Sequence, residues 1–145
     1  MSRWAPTLAL ALLGVACTQT RFRVSPYDTD ELRASALAAR ATDLCLAQRG
    51  GSQLPQHPFT SDGCSMWPDS TWVDCCVNHD IAYWCGGSAA DRRRADDALR
   101  ECVAERSSEL MGILTWVGVI MGGIPWQPMP WRWGYGWSGL RGYEE

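Results

Sequence analysis

The sequence contains no lysine: all 13 basic residues are arginine, and against 16 acidic residues they leave a formal charge of −3. Its one dense basic tract is Arg92-Arg93-Arg94, so the chain lacks the positive face that broad nucleic-acid binding requires. Long apolar runs are missing too. Leu8 to Ala16 and Leu110 to Ile124 both fall short of the roughly 20 residues that cross a bilayer. With 145 residues, 46% of them hydrophobic, the chain has room for one small domain and no second. Histidine is scarce, with His57 and His79 the only two.

The chain does have an export pattern. Arg3 precedes the Leu8 to Ala16 run, which ends in Leu13-Gly14-Val15-Ala16-Cys17. This layout reads as a signal peptide over 1–16. It resembles a bacterial lipoprotein signal, in which the peptide is cut before a cysteine that then receives lipid. Gly14 stands where that family prefers leucine, which keeps ordinary secretion open. The expected location is the bacterial cell envelope as a protein anchored through Cys17, or the secreted pool; both permit disulfides. Setting Cys17 aside leaves Cys45, Cys64, Cys75, Cys76, Cys85 and Cys102. An even set in an exported chain implies three bridges, and six cysteines allow 15 pairings, among which spacing alone does not choose.

Residues 17–27 are polar and aperiodic and read as a tether, leaving 28–145 as the domain. Asp28-x-x-Glu31 fits a helix start, followed by Leu37, Ala41, Leu44 and Cys45 on one face and Gly50-Gly51 as the stop. Ser52 to Asp69 holds three prolines, one glycine and Cys64, and reads as an irregular loop. Thr71-x-x-Asp74 caps a second helix that ends near Gly86-Gly87, and Ser88-x-x-Asp91 starts a third that runs to about Arg106. A connection that short forces an αα-hairpin, which brings Cys75 near Cys102. His79 lies four residues inward from Cys75, and Asp96 six residues back from Cys102, or about 6 and 9 Å of helix rise. The two therefore face each other within one turn.

The stretch Cys75-Cys76-Val77-Asn78-His79-Asp80-Ile81-Ala82-Tyr83 resembles the signature of the secreted phospholipase A2 family, Cys-Cys-x-x-His-Asp-x-Cys-Tyr, and matches it at Cys75, Cys76, His79, Asp80 and Tyr83. Asp96, six residues before Cys102, reproduces the spacing on that family's second catalytic helix, and Gly63-Cys64 matches a Gly-Cys pair in its calcium loop. The resemblance spans Asp62 to Val103. It implies an all-α, disulfide-stapled phospholipase A2-like fold in which two antiparallel helices carry the site. It also implies that Cys64 pairs with Cys76 and Cys75 with Cys102, which leaves Cys45 to Cys85. Ala82 and Ala95 stand where the family has a further pair of cysteines, so both ends of one inter-helix bridge are absent together.

Hydrolysis of an ester by activated water needs a base that titrates near neutrality, and histidine is the side chain whose ordinary range lies there. The resemblance gives that role to His79, and to Asp96 the orientation of its ring. Tyr83 is expected to hydrogen-bond Asp96. Asp97, beside Asp96, is turned away by about 100° of helix rotation. Asp80 is the implied Ca²⁺ ligand, with the carbonyls of Gly63, Ser65 and Trp67 as its loop partners. Ca²⁺ in that loop would be held mostly by backbone oxygens, so Ser65-Met66-Trp67-Pro68 in place of the family's glycine-rich run makes backbone path the deciding feature. The implied activity is calcium-dependent hydrolysis of the sn-2 ester of phospholipids at a membrane surface. The alternative is an inactive envelope lipoprotein that keeps the scaffold for binding or structure. No protein partner is inferable.

Other readings carry less. Cys76-x-x-His79 fits a zinc pair in spacing, but an oxidising compartment consumes thiolates. His79-Asp80 and Arg92-Arg93-Arg94 could each be solvated helix faces, the latter with anionic lipid as another contact, and His57 sits in a proline-bracketed loop. Gly134-Tyr135-Gly136-Trp137-Ser138-Gly139 matches G-x-G-x-x-G without a βαβ unit around it, and Leu140 removes the serine-hydrolase motif at Ser138. Leu110 to Ile124 reads as a buried helix. Trp126, Trp131, Trp133, Tyr135, Trp137 and Tyr143 suit either a membrane interface or a small aromatic core.

Overall fold

The computed structural model describes residues 30–51, 53–55, 58–65, 67 and 71–124. The expected signal peptide 1–16, Cys17, the expected tether 17–27, His57 and the Trp-rich segment after Ile124 lie outside the described residues. Those described form four helices, α1 (Glu31–Gln48), α2 (Val73–Cys85), α3 (Ala89–Arg106) and α4 (Glu109–Gly122), with no strand among them. None of the helices is long and apolar enough to cross a membrane.

The central helix is α2. Nine of its 13 residues are buried, so it is covered on more than the single stripe of a surface helix. One face, through Val77, Ile81, Trp84 and Cys85, packs on Leu37, Ala41 and Cys45 of α1 and on Phe59 of the connecting loop. The other, through Cys75 and Cys76, packs with Cys64 of the loop and with Leu99 and Val103 of α3. Of the four α1 positions assigned to one apolar face, Leu44 is the exception and stands 46% exposed.

Disulfides join Cys45–Cys85, Cys64–Cys76 and Cys75–Cys102. They tie α1, the loop and α3 to α2 in turn. Each contributes on the order of 3 kcal/mol by restricting the unfolded chain, and together they weigh as much as the whole stability of a typical small domain.

Helix starts follow the sequence unevenly. At α3 the expected capping box is complete: Asp91 N donates to Ser88 Oγ at 3.2 Å, and Ser88 N donates to Asp91 Oδ2 at 2.8 Å. The cap of α1 is Asp30 instead of Asp28, with Arg33 N donating to Asp30 Oδ1 at 3.1 Å. Thr71 does not cap α2, which starts after Trp72 without a side-chain cap. Its hydroxyl donates instead to the Arg106 carbonyl at 3.3 Å, while Asp74 pairs with the Arg106 guanidinium. Both contacts fasten the start of α2 to the end of α3, so hairpin closure takes the residues that would have capped the helix.

The α2–α3 turn is Gly86-Gly87, with φ of 77° and 132°, a backbone that side chains resist and glycine accepts. Only Gly112 of α4 is buried, whereas Leu110, Ile113, Leu114, Val117 and Met121 are exposed. The expected buried helix is therefore a surface helix seated along one edge. Gly112 makes that seat: a Cβ there would lie 2.6 Å from the Arg100 carbonyl and 3.0 Å from the Ala104 Cβ, so α4 approaches α3 backbone to backbone.

Candidate active site

The antiparallel hairpin brings His79 of α2 against Asp96 of α3. His79 Nε2 is 2.9 Å from Asp96 Oδ1, and the two residues are 9% and 2% exposed. The Cys75–Cys102 bridge pins the hairpin one turn outside His79, so the contact rests on a covalently fixed register. Tyr83, one turn further along α2, donates its hydroxyl to the same Asp96 Oδ1 at 2.7 Å. Its ring also packs against the imidazole, with centroids 4.2 Å apart. Burial, and then the negative charge of Asp96, push the Tyr83 phenol above its ordinary range, which keeps it protonated and donating.

With Nε2 engaged by Asp96, Nδ1 is the imidazole atom left to exchange a proton, and it accepts no hydrogen bond from the described residues. Asp97 turns outward, as its rotation along the helix requires, and accepts from Trp116 Nε1 at 2.9 Å. The two alanines of the absent bridge, Ala82 and Ala95, directly precede Tyr83 and Asp96. At that level of the hairpin the helices are joined by the Tyr83–Asp96 hydrogen bond.

Asp80, next to His79, faces the loop. Among the described residues its carboxylate has one hydrogen-bond partner, Ser61, whose hydroxyl donates to Oδ2 at 2.5 Å. Burial raises its pKa from 3.8 to about 8; the Ser61 hydrogen bond opposes this and nearby Asp62 adds to it. No arginine among the described residues forms an ion pair with it. The loop arrives through Gly63, buried at φ 80°, whose N–H donates to Ser61 Oγ at 3.1 Å. A turn then follows, with Trp67 N donating to the Cys64 carbonyl at 2.9 Å and Ser65 Oγ to Asp62 Oδ1 at 2.7 Å. Ser65 and Trp67 are exposed.

A half-buried carboxylate with one hydroxyl partner and a second carboxylate, Asp62, nearby offers oxygens of the type a hard cation takes, although no group of three or more acidic, His or Cys side chains that could hold a metal occurs among the described residues. Zinc does not fit, because Cys76 is in a disulfide.

Sequence reasoning missed three participants. Ser61 and Asp62, at the loop end, carry no motif of their own. Arg92 belongs to the run read as a solvated face, and that reading holds for Arg93 and Arg94 only, which are exposed. Arg92 is buried, 9% exposed, with Nε donating to Tyr83 Oη at 2.9 Å and lying 3.6 Å from Asp96 Oδ2. Its i, i+4 spacing to Asp96 was the available signal.

Comparison of the chain with known protein families, with characterised proteins and with solved structures finds no match.

Proposed function

We propose that the chain is a phospholipase A2-like hydrolase of the sn-2 ester of phospholipids, dependent on Ca²⁺ and working at a membrane surface. The observation that carries this reading is His79 Nε2 at 2.9 Å from Asp96 Oδ1, in a disulfide-fixed hairpin that also presents Asp80. The His79–Asp96 contact and the Cys75–Cys102 bridge support this reading.

In this mechanism His79 Nδ1 removes a proton from a water molecule as the water oxygen attacks the ester carbonyl. Asp96 and Tyr83 hold the ring and stabilise the imidazolium. As the tetrahedral adduct collapses, the bond to the glycerol oxygen breaks. That oxygen takes the proton from His79, which yields a free fatty acid and a lysophospholipid. Asp80, with the carbonyls of Gly63, Ser65 and Trp67, would hold Ca²⁺, which supplies polarisation of the carbonyl when bound. The exposed apolar positions of α4 are consistent with work at a lipid surface.

One observation favours the alternative of an inactive envelope lipoprotein on the same scaffold: Ser61 already occupies Asp80 Oδ2. Fatty-acid release from phospholipid vesicles in Ca²⁺ or chelator, compared between wild type and His79→Ala, separates the two. Release lost in both the chelated and the mutant samples supports the hydrolase; identical signals in every sample remove it.

A further inference from the structure

We infer that Arg92 is a positioning residue. It sets the direction of the protons in the Tyr83–Asp96–His79 chain and couples that chain to the C-terminal end of α4. The inference rests on the reading of His79 as the base and adds a residue to it.

A guanidinium carries only donors, and a buried one must spend them on acceptors. Arg92 Nη2 donates to the carbonyls of Val119 and Ile120 at 3.1 and 3.0 Å. These belong to the last turn of α4, where the helix end is partially negative; the Val119 carbonyl also accepts from Gly123 N at 2.8 Å. Nε donates to Tyr83 Oη at 2.9 Å. The phenolic oxygen is therefore an acceptor on that side, and its single proton goes to Asp96 Oδ1, 2.7 Å away. An oxygen that already accepts from Tyr83, in a carboxylate flanked by a guanidinium at 3.6 Å, accepts from His79 Nε2–H as well. Donation thus runs from Arg92 to Tyr83 to Asp96 and from His79 to Asp96. That order leaves the Nδ1 lone pair without a partner among the described residues.

The exit of α4 is built to the same contact. A Cβ on Gly123 would lie 2.5 Å from Tyr83 Oη and 2.7 Å from Tyr83 Cε1, so only glycine lets the chain leave α4 against the phenol. Lysine does not substitute for Arg92, because one ammonium lacks the planar fork that reaches Tyr83 and two helix carbonyls together.

A mere staple between α3 and α4 would move stability alone, so the test reads the phenol. In the full oxidised chain labelled with ¹³Cζ-tyrosine, the Tyr83 resonance is expected to shift in both Arg92→Met and Arg92→Lys. In vesicle hydrolysis kcat falls about 10- to 100-fold with KM nearly unchanged. The double variant Arg92→Met/Tyr83→Phe is expected to be no slower than Tyr83→Phe, since Arg92 acts through that hydroxyl. A lower melting temperature with an unmoved Tyr83 resonance overturns the inference. If Arg92→Met does not fold, Tyr83→Phe gives the converse reading: the Arg92 Nε–H resonance must move, and an unchanged one overturns it. Both spectra are recorded without substrate, so a chain that hydrolyses nothing would remove the enzymatic reading while these signals still decide the role of Arg92.

Discussion

Tyr83 and His79, one helical turn apart on α2, converge on a single oxygen, Asp96 Oδ1, at 2.7 and 2.9 Å. Two donors on one buried carboxylate oxygen fix the imidazole in plane and in tautomer. The rest of the fold works to keep that convergence in register: a disulfide at one end of the hairpin, two left-handed glycines at the other, and α4 laid along its flank.

Register predicts a sharp difference between neighbours on α3. Asp96→Asn is expected to slow hydrolysis by at least about 100-fold, because the amide has a donor to offer where Nε2–H needs an acceptor. Asp97→Asn, which touches Trp116 and not the site, is expected to keep the wild-type rate. Steady-state rates on vesicles check both.

The raised pKa of Asp80 makes stability depend on pH in an unusual direction. Its folded value of about 8 lies above the ordinary 3.8, so between those values the folded state binds more protons than the unfolded one. The group's contribution to stability therefore declines as pH rises through that window and levels off above about 8. Under the proposed function Ca²⁺ would bind this carboxylate and so compete with the proton. In chelator the melting temperature should lose ground from this group between pH 5 and 8, and the stabilisation added by Ca²⁺ should grow over the same range. A Ca²⁺ effect that shrinks as pH rises contradicts the assignment of Asp80.

Two glycines of α4 should respond oppositely to alanine. Gly112→Ala drives a Cβ to 2.6 Å from the Arg100 carbonyl, a backbone atom with little room to move, and is expected to cost about 1–3 kcal/mol. Gly118 has nothing within 4 Å of the added carbon, so Gly118→Ala should stabilise the helix by roughly 0.5–1 kcal/mol. Thermal denaturation measures both.

Opening the Cys45–Cys85 bridge with the double serine variant should cost about 2–5 kcal/mol, because it releases α1, whose contact with α2 is confined to one stripe. The His79–Asp96 contact lies on the other side of α2, so the folded fraction should keep its rate. A parallel loss of rate in fully folded protein would show that α1 positions the site.

What was legible in the sequence was what helix geometry alone propagates. The Ser88–Asp91 box is local, and the register of His79 with Asp96 follows from a short turn and a constant rise per residue. The phospholipase A2 resemblance added the pairing of the cysteines, which spacing left open. Arg92 was not legible because its partners include backbone carbonyls of α4, which have no sequence signature, and because the two arginines after it are solvated. Thr71 and Asp74 spelled a cap but are recruited by Arg106 from a helix 32 residues away from Asp74. The exposure of Leu110, Leu114 and Met121 was hidden for a related reason. Composition says that a segment is apolar, while the close seat at Gly112 decides how much of it the core covers. At the loop, Gly63-Cys64 was visible, but the contact of Ser61 with Asp80 spans 19 residues and depends on the backbone path between them.

The most direct test of the central claim is fatty-acid release from phospholipid vesicles by the oxidised chain, measured in Ca²⁺, in chelator, and in Ca²⁺ with His79→Ala. The expected result is release in the first condition and loss of it in the other two, with the variant folded and still binding Ca²⁺. Release that is the same in all three, or absent from all three while wild type and variant are folded and bind Ca²⁺, would contradict it.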